Sequence, residues 1–514
     1  MDLHSKLKNL KEKAFFSSLI IERGIEKESL RVSQEGFVSQ SNHPLSLGSS
    51  YTNPSITTDF AEALVEIVTP IFHSVEELHD NLFALHVFIA NGLENNEMLW
   101  PYSIPPRILD ESKINIATYS KSNMGQLKHI YRKGLAVRYG KTMQCVSGIH
   151  YNFSLSEESL SKLIGTSDQK DITNAYLGLI RNFKRIFWFV LSEYGNSAQV
   201  DKTFVTGREN DLDVLNDSDL FKKNATSLRM SEIGYQSSAQ KNLNIKYNDL
   251  DEFLDELRLA IITPYPEFEE LGLKDKQGNF QQISNGILQI ENELYDCIRP
   301  KRAGSSGERP YELLKNQGIK YVEVRGIDLC PNEITGISKN QMRVLDLILL
   351  YCFIEDSPLM SNEEKLLITA NDNEVIKNGR NPDAEIFYKN SQTSISSART
   401  DIVDCLISIA SNMKDGNYLK AAKGMKKKKN TFDKNISFHD AGTLKAKQNL
   451  NYLKSLNSEN NDTYQDEAKK SIMRFNEIQK ESIQDMEDFM NSYCLLYTSP
   501  SPRDSGKSRM PSSA

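Results

Sequence analysis

Several signatures are missing from this sequence, and each omission closes a route. There is no GxxxxGK[ST] stretch and no Rossmann glycine pattern, so no nucleotide is cradled here by a P-loop or a dinucleotide fold. There is no HxH or HExxH pair, which argues against zinc-protease and hydrolytic two-metal sites. Cysteine is sparse: six residues, none in a CxxC pair, in a long chain without a secretion signal. They read as reduced thiols that serve as small core residues. No apolar run approaches the roughly 18 residues a membrane span needs. The short apolar piece Ala14–Ile21 is closed by charges, and no small-residue cleavage site follows it. A soluble, cytoplasmic protein is expected. The net charge of -7 argues against nucleic acid as the main partner, which would need a clustered basic face, although a local site for a nucleotide is still allowed. No repeat at solenoid periods is present.

At 514 residues the chain is long enough for two to four domains. Residues 1–350 alternate strand-like and helical stretches and contain all the chemically informative motifs, so they are expected to form the catalytic domain. Residues 351–493 read as a mostly helical region packed on it. Gln341–Glu355 is apolar enough for a buried helix, Asp401–Met413 carries an apolar stripe, and residues 460–492 suggest a solvated terminal helix. After Tyr493 the wording becomes Ser- and Pro-rich without periodicity. Residues 494–514 are expected to be a disordered, non-native tail resembling translated adapter sequence. The run Lys426–Lys429 reads as a solvated loop or an anion patch, and no role is assigned to it.

What is present is acid at period two. Side chains two apart on a strand share a face. In GIEKESLRV, Glu26 and Glu28 fall together; in GIHYNFSL, His150, Asn152 and Ser154 oppose Ile149, Tyr151, Phe153 and Leu155. In ILQIENELY, Gln289, Glu291, Glu293 and Tyr295 share a face, which predicts another strand. In KYVEVRGI, Tyr321, Glu323 and Arg325 oppose Val322 and Val324. A further segment, ITTDFAEALVEIVTP, adds Asp59 and Glu66 with a period that fits helix and strand alike. One such strand is what any antiparallel sheet with a wet face produces. Several together differ from an ordinary solvated face, which mixes Lys, Thr and Ser with Glu. Gathered in one sheet, these carboxylates would repel and raise one another's pKa values, a conflict that a cation removes.

Hard oxygen donors beside a single imidazole select Mg²⁺ or Mn²⁺ over zinc. Magnesium among carboxylates generally serves nucleotide phosphates. With no P-loop, basic side chains must help hold the nucleotide, and Arg299, Lys301, Arg302 and the loop Gly304–Gly307 are available.

In order along the chain, RGIEKESLRV, ITTDFAEALVEIVTP, GIHYNFSL, TSLRMSEIGY, ILQIENELYDCIRPKR and YVEVRGIDLCP resemble glutamate–cysteine ligase of the proteobacterial type. The resemblance runs from about residue 20 to 350, includes MLWPYSIPP and NGRNP, and fades in the C-terminal helices. It implies an α+β fold with a glutamine-synthetase-like, twisted, mostly antiparallel sheet shaping a funnel, helices packed outside, and a monomer-capable enzyme. It also implies metal ligands at Glu26, Glu28, Asp59, Glu66, His150 and Glu323, with Arg325 beside the transferring phosphoryl group. Arg229, Gln144 and Asn152 fall at glutamate-binding positions. Phe60, Tyr131, Leu135, Tyr235 and Tyr295 fall at the cysteine pocket.

The chemistry implied is ATP-dependent ligation of the L-glutamate γ-carboxylate to the amine of L-cysteine through γ-glutamyl phosphate, the first step of glutathione synthesis. Two other readings stand beside it: a γ-glutamyl ligase for another amino acid, and a non-catalytic glutamate or nucleotide sensor on the same fold. One pocket change separates amino acids by only about 1–3 kcal/mol, so the acceptor is the least legible part.

Overall fold

The computed structural model describes residues 2–498 apart from Tyr235, 305–307, 457–460 and Ser482. Its centre is a seven-stranded sheet. Along the sheet the order is Ile56–Thr58, Leu64–Val68, Ile21–Val32, Ile149–Leu155, Tyr321–Ile327 and Ile298–Lys301, and Met98–Leu99 pairs with the far end of the long strand. Every pairing is antiparallel. The expected sheet class holds.

Register decides what the acidic face becomes. Glu26 stands opposite His150, Glu28 opposite Glu66, and Asn152 opposite Glu323. A slip of one residue would send this whole set into the core. The other face is apolar: Ile25, Tyr151, Phe153, Val322 and Val324 are fully buried. They pack with the helices Val75–Gly92, Gln169–Arg185 and Lys339–Ile354 into one hydrophobic cluster.

Those helices begin where their sequences say they should. Ser74 accepts from the Glu77 N–H, with Glu76 and Glu77 complementing the positive helix end. Ser338 and Gln341 form a reciprocal capping box ahead of the apolar run. Residue 350 lies inside that last helix, and the hydrophobic cluster spans residues 7–468, on both sides of position 350.

Three segments depart from expectation. ILQIENELY is not a strand: Glu291–Glu293 form a short 3-10 turn, and the strand begins only at Ile298. The alternation is used instead to bury acids in turns. Glu293 pairs with Arg138 at 3.0 Å, and Glu291 pairs with Arg309 at 3.5 Å. ITTDFAEALVEIVTP resolves its ambiguous period as two strands around a turn at Asp59–Ala63. The terminal helix is two helices, Asn461–Ile478 and Met486–Thr498. Neither is simply solvated, because Tyr464, Ala468 and Ser471 are buried on one side of the first and Met490 is buried on the second. Helical backbone runs past Tyr493 as far as Thr498, five residues into the segment expected to be irregular. The rest of the tail, residues 499–514, lies outside the described residues. No described helix is long and apolar enough to cross a membrane.

Candidate active site

The acidic face of the sheet floors a cavity of about 420 Å³, walled on one side by the helix Asn123–Tyr139. Glu26, Glu28, Asp59, Glu66, His150 and Glu323 all reach it, as expected. The His150 ring is held between two carboxylates: Nδ1 lies 3.2 Å from Glu26 Oε2, and Nε2 lies 3.5 Å from Glu28 Oε1. The Gly148 N–H donates to Glu28 Oε2 at 2.8 Å, which fixes that carboxylate from behind.

Two overlapping triads have the spacing of a cation site. Donor atoms of Glu26, His150 and Glu323 lie within 4.8 Å of one another, and so do those of Glu28, Glu66 and His150. Asp59 shares the cavity without joining either triad. Electrostatics reveal the tension. Burial first, then the charges of Glu26, Asp59 and Glu28, drive the Glu66 carboxyl well above its ordinary value. Burial also holds Glu28 up, against the pull of His150. Buried carboxyl groups whose charges oppose one another are what a divalent ion relieves, so the donor set fits Mg²⁺ or Mn²⁺.

On the other side of the floor the charge is matched. Glu323 is 1% exposed, so its ionised form needs partners, and it has two. Arg325 Nη1 lies 3.0 Å from Oε2, and Lys301 Nζ lies 3.2 Å from Oε1. Burial opposes ionisation, but Lys301, Arg325 and His150 outweigh it and hold Glu323 well below the usual carboxylate value. Burial and the Glu323 charge likewise push Glu26 up, yet His150 and Lys301 keep it lowered. Arg325 and Arg299 both line the cavity; Arg299 is anchored by the Asn292 and Leu294 carbonyls.

Arg229 reaches the same cavity from the turn Leu228–Met230. It is buried, donating to the Arg325 carbonyl at 3.3 Å and lying 3.6 Å from Asp328 Oδ1. Gln144 also lines the cavity and donates to the Tyr295 hydroxyl at 3.2 Å. Tyr131 and Leu135 line it from the helix wall.

Three expected site residues are placed otherwise. Phe60 is 1% exposed inside a hydrophobic cluster and does not line the cavity, because the turn after Asp59 turns it inward. Arg302 points away along the outside, its donors directed to Gln317 at 3.2 Å and Gln169 at 3.4 Å. Asn152 spends its amide on Glu26 Oε1 at 3.0 Å, so it orients a carboxylate and does not line the cavity. Tyr235 lies outside the described residues, as does most of the Gly304–Gly307 loop.

Sequence reasoning missed Lys128 and Arg132, which line the cavity beside Asp59 and Glu66. Arg132 Nε donates to the Asp59 carbonyl, and its guanidinium stacks over Tyr119 at 4.8 Å. Burial and Arg132 bring the Lys128 ammonium down to about 8. Their signal was helical spacing: Lys128, Tyr131, Arg132 and Leu135 repeat on one face of a helix. Tyr493 reaches the cavity from the second terminal helix.

Comparison with known proteins identifies the family. The family model described as glutamate–cysteine ligase matches residues 5–375. The glutamate–cysteine ligase of Pseudomonas putida (strain W619) is 46% identical over 369 residues, covering 71% of this chain and 70% of its own length. That of Hahella chejuensis is 42% identical over 389 residues, covering 75% and 74%. Among solved structures, the Francisella tularensis glutamate–cysteine ligase in complex with AMP superposes with a TM-score of 0.88 at 31% identity, over 94% of this chain and 99% of that one. A bifunctional glutathione synthetase from Pasteurella multocida shares the fold, with a TM-score of 0.63 at 22% identity over 92% of this chain and 55% of that one. With the family model covering most of the chain and these relatives aligned along its length, this chain belongs to the glutamate–cysteine ligase family.

Proposed function

We propose that the protein catalyses ATP-dependent ligation of the L-glutamate γ-carboxylate to the amine of L-cysteine. The observation that carries this reading is the convergence of five carboxylates, His150 and Arg325 on one cavity floor. A carboxylate is a poor electrophile, so amide formation needs activation. The glutamate γ-carboxylate oxygen attacks the γ-phosphorus of ATP, the bond to ADP breaks, and γ-glutamyl phosphate results. The cysteine amine then attacks the acyl carbon, phosphate departs with the electron pair of the broken C–O bond, and the amine loses a proton.

The residues of this chain divide the work by charge. Arg325, fixed by Glu323 at 3.0 Å, offers donors where negative charge accumulates on the phosphoryl oxygens. Lys301 and Arg299 extend that positive wall toward the polyphosphate. Arg229 supplies a planar fork for a substrate carboxylate, which a lysine does not reproduce. Tyr131, Leu135 and Tyr295 wall the acceptor side and keep water from the acyl phosphate. Glu26, Glu28, Glu66, His150 and Glu323 would hold Mg²⁺ or Mn²⁺, with Asp59 beside them. Such ions supply charge neutralisation for the phosphates.

The test is phosphate release with ATP, Mg²⁺, glutamate and a panel of amino acids, with the product weighed by mass spectrometry. Cysteine is expected among the best acceptors, giving γ-glutamylcysteine. Release independent of the added amine, or faster with several other amino acids, would overturn the substrate assignment.

A further inference from the structure

A second cleft, of about 550 Å³, shares no lining residue with the active-site cavity and lies between Gly195–Asn196, the loop after the strand Tyr321–Ile327 and the start of the helix Phe438–Lys454. Arg380, Lys428 and Lys429 line it, drawn from the NGRNP motif and the lysine run that the ligase reading leaves without a role. Arg380 is tied to neutral acceptors alone, the Ser192 carbonyl and the Gly195 carbonyl, the latter at 2.8 Å. Its Nε is buried with no hydrogen-bond partner.

The nearest buried acids are already committed. Glu193 gives both oxygens to Arg399, at 2.5 and 3.1 Å. Asp328 accepts from the Asn196 N–H at 2.9 Å, Ser197 at 2.6 Å and Ser227 at 3.0 Å. The single carboxylate among the described lining residues is Asp433, exposed at the rim, where it accepts the Asn435 N–H. Lys428 lies 3.5 Å from the Asn196 side-chain oxygen, and among the described residues no ion pair engages Arg380, Lys428 or Lys429. Glu193 and Asp328 act on Arg380 and Lys428 only at longer range. Three cations facing one concavity, with no ion pair among the described residues, form a site for an anion with several charges. Half-buried Tyr102 and Phe432 give the cleft an apolar side, and the space exceeds that of a free phosphate.

We propose that this cleft is a second binding site, for a small phosphate-bearing molecule, with Arg380, Lys428 and Lys429 as its anion ligands. Its position couples it to the active site. Asn196, on the cleft floor, donates to Asp328, and Asp328 lies 3.6 Å from Arg229 at the active-site cavity. Occupancy therefore alters the affinity for glutamate, a coupling that rests on the role given to Arg229 above. The binding itself does not depend on that role.

The experiment titrates inorganic phosphate, and separately glycerol 3-phosphate, into the metal-free full-length protein by calorimetry. Wild type, Lys428→Ala/Lys429→Ala and Arg325→Ala are compared. The two lysines are exposed, so the double variant is expected to fold and to keep its basal ligase rate. A saturable component that survives in Arg325→Ala and weakens at least ten-fold in the double variant supports the site. A component unchanged in the double variant, or lost with Arg325→Ala instead, overturns it. Tighter glycerol 3-phosphate supports a phosphate ester as the occupant, and equal affinities support phosphate itself. For the coupling, the glutamate KM in the presence of saturating probe is expected to shift at least two-fold in wild type and not in the double variant. The same shift in both proteins is competition at the active site and overturns the coupling.

Discussion

The Arg229 guanidinium lies against the α-carbon of Gly148 so closely that a β-carbon built there would stand 2.0 Å from Nη2. Gly148 also donates its N–H to Glu28, so one residue without a side chain supports both the arginine and a carboxylate of the acidic cavity floor. Its value here is close approach, not an unusual backbone angle. Gly148→Ala is expected to displace Arg229 and weaken its charge-assisted hydrogen bonds, worth about 1.5–3 kcal/mol. The glutamate KM should rise about 10- to 100-fold while the ATP KM changes far less. Steady-state kinetics with each substrate varied in turn checks this, and an unchanged glutamate KM would remove Arg229 from glutamate recognition.

Glu323 pairs with two cations, Lys301 and Arg325, and at the same time joins Glu26 and His150 in a triad with the spacing of a cation site. Glu323→Gln keeps the shape and part of the hydrogen bonding but removes the charge. Turnover is expected to fall by about 10²-fold or more, the scale of losing one charge-stabilising group. The Mg²⁺ concentration for half-maximal rate should rise as well. Far-UV circular dichroism should match the wild type, which separates loss of chemistry from loss of fold.

How far the site could be read from sequence follows from periodicity. Glu26, Glu28, His150 and Glu323 were legible because a strand repeats every two residues, and around His150 and Glu323 the alternate positions are apolar. Glu291 and Glu293 misled for the same reason: their alternation is real, but it feeds buried pairs with Arg309 and Arg138 in a turn. Lys128 and Arg132 were missed because a helix face that mixes cations with Tyr and Leu looks like an ordinary amphipathic surface. Phe60 shows the limit of transferring a motif position by position. It follows Asp59 directly, yet Asp59 lines the cavity while Phe60 packs among Leu30, Leu64 and their apolar neighbours.

Arg132 offers a direct test of what the helix contributes. Its Nε donates to the Asp59 carbonyl and its face stacks on Tyr119, so it braces the turn that presents Asp59. Arg132→Ala should leave the fold intact and weaken the Mg²⁺ dependence of the rate by about three- to ten-fold, the scale of one net hydrogen bond. Arg132→Lys should recover little, since a lysine cannot both stack as a plane and donate along the same fork. Full recovery with lysine would show that charge alone matters there.

Behind the sheet, stability depends on a buried charge network. Arg23 Nη2 lies 3.0 Å from Asp346 Oδ2, with side chains 2% and 0% exposed. Tyr151 donates to Oδ1 at 2.8 Å and Tyr418 to Oδ2 at 2.7 Å. This ties the sheet to the helix Lys339–Ile354 and to the helix Gly416–Lys423. Asp346→Ala would strand a guanidinium in the core, at a cost of about 3–5 kcal/mol. Urea denaturation should show a midpoint lowered accordingly, and a midpoint within error of wild type would mean the network contributes no net stability.

Acid should destabilise the protein through His43. Both its ring nitrogens are buried without a hydrogen-bond partner. Burial first, then Arg31 nearby, lowers its pKa from the ordinary 6.5 to about 3. The folded state therefore holds the ring neutral between those two values, while the unfolded chain binds a proton there. With more protons bound in the unfolded state, stability rises with pH across this window and is lost as pH falls from about 6.5 toward 3. By pH 5 the loss from this one group should be about 1–2 kcal/mol. His43→Gln cannot titrate, so its unfolding free energy should fall less between pH 7 and pH 5 than that of the wild type. Parallel pH profiles for the two proteins would show that His43 is protonated equally in the folded and unfolded chains.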